Sequence, residues 1–314
     1  MTLRQTLCRA AALLPFTLLA GCAALGPDFV SPTAWWSPKS FTTDADAKLA
    51  KSVPVAAPVD PQWWKLLGDP MLTSLESRLA TANLDLRIAS LRLAESRAEL
   101  GVSKAGLVPA VNGGAAFSAN QGSRNGTLSL TPRSALDDPY NLYQYGFDAS
   151  WELDFWGHVR RAVEQSAANV TATQEAGRDV AVTASAELAR DYVRLRGIQR
   201  KLQITRQNLG SAQESLRLTQ ARAAGGLTTD LDVANAAAEV STIRAQIPAL
   251  DQQISELSNA IALLLGQPPR ALSHELAAAR PVPPVPPRVP VGVPSELARR
   301  RPDIRRAEAM LHAA

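Results

Sequence analysis

Cysteine, histidine and aromatic residues are scarce in this 314-residue chain: two Cys, three His, and 5% Phe, Trp and Tyr together. The histidines, His158, His274 and His312, stand far apart, so almost nothing is left for a metal site. There is no nucleophile-elbow pattern, no phosphate-binding glycine loop and no ligand cluster, and these absences speak against an enzyme. Asp148, Glu152 and Asp154 could mimic a carboxylate pair, but no pocket-forming domain accompanies them. No run of 18 apolar residues occurs, which excludes a membrane-spanning helix in the mature chain. Charge of one sign is not in excess either. Thirty-three basic and 29 acidic residues give +4 and are interspersed, which is not a nucleic-acid footprint. What the chain has is 46% hydrophobic residues, too many for wholesale disorder, and 22 prolines, too few for a fibre. The length allows two ordinary domains.

The amino terminus reads as a secretory signal. Arg4 and Arg9 supply the positive end, and Ala10–Leu19 the short apolar core. The core is too short for a permanent span. It ends in Leu19-Ala20-Gly21-Cys22, which looks like a bacterial lipobox, with cleavage before Cys22 and acylation of that residue. A plain signal with an incidental cysteine is the alternative. Cys8 would be lost with the signal, so no disulfide can form, and the mature chain keeps a single thiol. Several acyl chains on Cys22 would hold firmly where one would not. By resemblance to Gram-negative lipoproteins, Ala23 after the cysteine favours passage to the outer membrane.

Long helices set the architecture. No proline occurs between Pro139 and Pro248, and residues 158–223 follow an almost unbroken helical pattern. Apolar positions recur every seven residues: Ala181, Leu188, Leu195, Leu202, Leu209, Leu216 and Ala223. Such a repeat is a coiled-coil seam, and this one spans about 100 Å at about 1.5 Å per residue. Gly225-Gly226 break the pattern, and Thr228 or Thr229 can cap a second helix running to about Leu265. Its rows are Val233, Val240, Ile247, Ile254, Ile261 and Ala236, Ile243, Leu250, Leu257, Leu264. Together the two helices predict an antiparallel hairpin, with a kink at Pro248. A third helix is expected over 71–104. It and the returning helix, about 51 and 57 Å long, together match the long rod and would cover its two halves.

Residues 143–155 alternate without error. Tyr143, Tyr145, Phe147, Ala149, Trp151, Leu153 and Phe155 face one way, and Gln144, Gly146, Asp148, Ser150, Glu152 and Asp154 the other. That is the period of a strand between two environments. A weaker alternation over 107–120 supplies a partner, and the Gly-, Ser-, Asn- and Pro-rich residues 121–142 a loop. About 9–11 tilted residues cross a bilayer, and aromatics near both ends suit a membrane barrel. Asp148, Glu152 and Asp154 would then face its lumen. Two strands cannot close a barrel, so other strands must come from identical chains or from further sequence. A soluble hairpin packed on one face is the alternative.

The chain also repeats itself. Shifted by 218, residues 297–314 overlay 79–96 with Leu79/Leu297, Ala80/Ala298, Asp85/Asp303, Arg87/Arg305, Ala89/Ala307 and Leu93/Leu311 identical. This predicts an internal duplication whose second copy is cut short, either as a truncated product or as a short natural variant. Proline-rich stretches at 27–61 and 281–294 should be extended and semi-rigid, the second forming a belt halfway along the helices.

These features together resemble the outer-membrane efflux factors, which are TolC-like. The resemblance rests on the lipobox, Trp63-Trp64 with Asp69-Pro70 and Leu72, and Asn83-Leu84-Asp85-Leu86. It continues through Trp151-Glu152-Leu153-Asp154 with Gly157, Gly226-Leu227-Thr228, Leu263-Leu264-Leu265-Gly266, Pro294-Ser295-Glu296-Leu297 and Arg300-Arg301-Pro302-Asp303. The subgroup is the NodT-type lipoprotein channels of resistance–nodulation–division pumps.

The resemblance implies a mainly α fold with a membrane β-hairpin. Coiled-coil helices would form a periplasmic tunnel, and a homotrimer would close a transmembrane barrel. It implies a periplasmic adaptor and an inner-membrane pump as partners, no nucleic acid, and no cofactor beyond the lipid on Cys22. Residues 1–21 become the signal, 22–70 an extended segment, 71–104 a tunnel helix and 105–156 the membrane hairpin. Residues 157–224 become the long helix, 225–227 the tip, 228–266 the returning helix, 267–294 the equatorial linker and 295–314 the start of the second repeat. Gly226, Leu227 and Thr228 become adaptor contacts, and Asp230 and Asp232 a candidate gate, unless these acids only serve the helix dipole. A lipid-anchored periplasmic adaptor, a structural coiled coil and a non-functional truncated channel are the rival readings.

Overall fold

The computed structural model describes residues 24–32, 52–55, 57–121, 139–292 and 294–314. The signal at 1–21, Cys22, and most of the 121–142 loop lie outside the described residues. The chain forms two compact units. The smaller holds residues up to Val30, Glu95–Val170 and His312–Ala314; the larger holds Ser31–Ala94 and Thr171–Leu311.

In the larger unit a 3-10 turn, Trp63–Leu67, precedes helix α1, Pro70–Ala82. The carboxylate of Asp69 accepts from the N–H groups of Met71 (2.8 Å) and Leu72 (3.1 Å), and Pro70 takes the first helical position. Helix α2, Leu84–Ala105, follows after a break at Asn83, where the backbone is extended (φ −67°, ψ 129°). The single helix expected over 71–104 is therefore two. The cause is the Asn83 carboxamide. Its Oδ1 accepts the Leu86 N–H at 2.9 Å and caps α2, while its Nδ2 donates to the Leu264 carbonyl at 2.8 Å.

The same break recurs 218 residues later, between α6, Pro294–Arg300, and α7, Pro302–Ala313. Around Asn83, Asn83 N–H donates to Leu79 and Arg87 N–H to Asn83; around Arg301, Arg301 N–H donates to Leu297 and Arg305 N–H to Arg301. Each pair is offset by the repeat length. Arginine has no acceptor with which to cap, and in the second copy Asp303 takes over, accepting from the Ile304 N–H at 3.0 Å.

Helix α3, His158–Ala224, is 67 residues long and extends through both units. Helix α4, Asp230–Leu264, continues through Pro248, whose missing N–H removes one ladder bond but does not end the helix. Every residue of the three predicted seam rows is buried or half-buried. Arg206 of α3 meets Asp251 of α4 at 3.4 Å, as an antiparallel pair requires. The core gathers Leu72, Leu75 and Leu79 of α1, Leu188, Tyr192 and Leu195 of α3, and Leu257 and Ile261 of α4. It also takes in Leu276 of a short helix, α5, Ser273–Ala277. Inside it the Tyr192 hydroxyl donates to Asp69 Oδ2 at 2.7 Å, and the buried Arg196 donates to Gln199 (2.7 Å) and the Ala278 carbonyl (2.8 Å). The proline-rich stretches, expected to be extended and semi-rigid, pair with each other over three residues. Strands β1, Val53–Val55, and β4, Arg288–Pro290, lie parallel with Val53 opposite Arg288.

Glu76 of α1 lies in this interior with 2% of its surface exposed. Burial pushes its carboxyl up to about 7, with the Ser185 hydroxyl pulling it partly back. The folded state therefore holds a proton that an unfolded carboxyl, near 4.5, releases. Stability should be full below pH 4.5 with respect to this group and fall as pH rises toward about 7. The loss is on the order of 3 kcal/mol. Thermal unfolding at pH 5 and pH 8 should show this slope, and Glu76→Gln should flatten it.

Candidate functional site

The smaller unit carries a β-hairpin, β2, Ala110–Asn120, and β3, Tyr140–Ser150. They pair antiparallel from Ala110↔Ser150 to Asn120↔Tyr140. This register puts every odd-numbered residue of both strands on one face. That face carries Val111 and Ala149, Gly113 and Phe147, Ala115 and Tyr145, and Phe117 and Tyr143, whose rings lie 5.0 Å apart. The other carries Asn112 and Asp148, Ala116 and Gln144, and Asn120 and Tyr140. Among the described residues nothing covers the apolar face: Tyr145 and Phe147 are each 89% exposed. In water such a surface would be an aggregation site; in lipid it is a wall.

The strand expected over 143–155 begins three residues earlier and ends at Ser150. Two causes converge. Extending the register would place Trp151 opposite Pro109, which has no N–H for the ladder. Asp154 is meanwhile recruited by the following helix: its carboxylate accepts the Arg160 N–H at 2.9 Å and pairs with the Arg160 guanidinium at 3.3 Å. Glu152 and Asp154 are therefore not on the strand face with Asp148. Of the three acids read as lumen-facing, Asp148 alone stays on the polar face, accepting from Asn112 Nδ2 at 3.2 Å.

At the far end of α3 the helix stops as the glycine pair predicts. Leu227 N–H reaches the Arg222 carbonyl (2.9 Å) and Gly226 N–H the Ala223 carbonyl (2.8 Å), a Schellman closure. It needs a left-handed residue, and Gly226 supplies it at φ 74°. Leu227 is left 73% exposed at the apex. Thr229, and not Thr228, caps α4. Its hydroxyl pairs with the Asp232 N–H, and Asp232 Oδ2 accepts from the Thr229 N–H (3.0 Å) and hydroxyl (2.7 Å), a capping box.

The Thr228 hydroxyl also donates to Asp232 Oδ2, at 2.6 Å. These donors, first the two hydroxyls and then the backbone N–H, hold the Asp232 carboxylate down to about 2. The cap is thus intact above the ordinary carboxylate value of 3.8 and is lost only as pH falls toward about 2. Both candidate gate acids lie in the first turn of α4, with Asp232 engaged in the cap and Asp230 exposed. Thr229→Ala should cost about 1 kcal/mol of local stability. Hydrogen exchange should then accelerate at the first α4 amides and leave the α1–α3 core unchanged.

One arrangement had no sequence signal: residues 24–28 dock beside the start of α3, with Leu25 N–H donating to the Trp156 carbonyl at 3.0 Å. Among the described residues no group of His, Cys, Asp and Glu is placed to hold a metal, and no helix is long and apolar enough to cross a membrane.

A two-faced strand pair leading into a helix of this length, itself folded back through a glycine turn, defines the outer-membrane channel fold: coiled-coil helices carrying strands for a membrane barrel. The chain belongs to the outer membrane efflux protein family, whose model matches residues 75–267. That family is one of channel proteins. The chain is 34% identical over 254 residues to the pyoverdine export outer membrane protein OpmQ of Pseudomonas aeruginosa, covering 81% of this chain and 53% of that protein. It is 31% identical over 298 residues to nodulation protein T of Rhizobium leguminosarum bv. trifolii, covering 93% and 59%. Among solved structures, the outer-membrane channel OprN superposes with a TM-score of 0.79 at 33% identity, covering 93% of this chain and 62% of that one. The chain thus spans less than two thirds of the length of these relatives.

Proposed function

We propose that the chain is the outer-membrane channel component of a tripartite efflux system. Three copies, each extended by the strands of a complete second repeat, would close one barrel and one helical tunnel, through which small molecules leave the periplasm. The periplasmic tip would meet an adaptor that links it to an inner-membrane resistance–nodulation–division pump. Cys22 would carry the lipid, with most of the chain in the periplasm of a Gram-negative cell. The observation that carries this reading is the uncovered aromatic face of β2–β3, which needs lipid on one side and leaves Asn112, Gln144 and Asp148 for a wet lumen on the other. Both ladder edges of the hairpin also need partners.

The relatives named above include a pyoverdine exporter; others are named for solvent and toluene efflux. Substrates of this class, small and chemically varied, fit a channel that selects little by itself. The test is fractionation. The protein should sediment with outer membranes and migrate as a heat-modifiable trimer that conducts in planar bilayers. Recovery as a soluble monomer, or with inner-membrane vesicles as an adaptor would be, overturns the reading.

At the tip, the exposed Leu227 is the side chain best placed for the adaptor, flanked by Gly226 and Thr228. Leu227→Glu should abolish co-purification with the adaptor while trimers form normally. Undiminished co-purification would remove Leu227 from the interface.

A further inference from the structure

The residues that follow the expected acylation site are held in place. Arg161, near the start of α3, gathers them. Its Nε donates to the Leu25 carbonyl (3.4 Å), and Nη2 to the Gly26 carbonyl (3.1 Å) and Asp28 Oδ1 (3.0 Å). Its Nη1 is fixed on Glu164 at 2.6 Å. Leu25 N–H adds the bond to the Trp156 carbonyl. Ala24 lies directly over Gly157, where a Cβ would fall 2.5 Å from the Ala24 Cβ. The same glycine has φ 85°, so the close approach and the backbone both exclude a side chain.

The site so occupied is not an apolar pocket. Leu25 stays 67% exposed, and the segment around Gly157 carries exposed Trp151, Leu153, Phe155 and Trp156 (the last at 70%). These residues continue directly from the end of β3 and form an exposed, mainly aromatic collar at the helix-side end of the hairpin. Tryptophan belongs at the level of lipid headgroups. Cys22 precedes Ala24 by two residues, a chain reach of at most about 7 Å from Ala24.

We propose that residues 24–28 are a leash, clamped by Arg161 and seated on Gly157, that delivers the acylated amino terminus to the collar of Trp151, Leu153, Phe155 and Trp156. Acyl chains and collar then enter the same lipid leaflet as one surface. This rests on the reading of Cys22 as a lipid attachment site. Arg161 and Gly157 act as positioning residues: they touch the leash and not the lipid.

The experiment uses the full chain in cells fed a palmitate analogue bearing an alkyne and a photoreactive diazirine. After irradiation, crosslinks from the labelled amino terminus should concentrate in peptide 151–156. Arg161→Ala should retain the label and the heat-modifiable trimer but lose those crosslinks, and Gly157→Ala should do the same. Labelling at Cys22 with wild-type crosslinks elsewhere overturns the leash and leaves the lipoprotein reading standing. Label that persists in Cys22→Ser, or none in the wild type, overturns both. Crosslinks unchanged in both notch variants overturn the clamp.

Discussion

Phe147→Arg should prevent the protein from assembling in the outer membrane. Phe147 projects from the apolar face of β3, opposite Gly113, and is almost fully exposed. An arginine facing lipid costs about 2–4 kcal/mol near the midplane. In the proposed trimer the cost would recur in every protomer, and the barrel would close only when all of them insert. The matched control is Gln144→Arg on the opposite face of the same strand, where a charge would meet water. Heat-modifiable trimer in outer-membrane fractions is the readout. Phe147→Arg should leave little, and Gln144→Arg near-normal amounts. Normal assembly of Phe147→Arg would remove the lipid-facing assignment, and equal failure of both would reduce it to a packing effect.

Leu188→Ala should be the most damaging of the helix substitutions. Leu188 is completely buried where α1, α3 and α4 meet, together with Leu75, Tyr192 and Ile261. Truncation leaves a cavity among side chains fixed by three helices, at about 2–5 kcal/mol. Leu218, on the same helix and exposed, should tolerate alanine within about 0.5 kcal/mol. Thermal unfolding in detergent compares the two. Equal shifts would mean that the long helix is stabilised uniformly and has no core section.

Much of this architecture was legible because its signals are periodic. The every-second-residue pattern from Tyr143 onward and the heptad rows of α3 and α4 each repeat enough to outweigh local propensity. The duplication was legible for a similar reason: its two copies share both the Leu–Ala start and the later Asp–x–Arg step. What escaped depended on single partners distant in sequence. The alternation at Trp151, Leu153 and Phe155 looks like more strand, yet ladder formation is limited by Pro109, just before the other strand. Asn83 divides a helix without disturbing the apolar periodicity on either side. The pairing of Val53–Val55 with Arg288–Pro290 joins two proline-rich stretches that carry no β pattern of their own. Arg161 gave no hint that it holds residues 24–28, because a clamp made on carbonyl oxygens leaves no trace in the composition of the segment it grips.

The seam of α3 is not equally deep along its length. Leu188, Leu195 and Leu202 are buried, while Leu209, Leu216 and Ala223 are only half-covered as the chain nears Gly225. Opening free energy follows local burial, so this rod has no single melting point. It loosens like a zip from its glycine end, and several turns there can separate and close again while the middle stays shut.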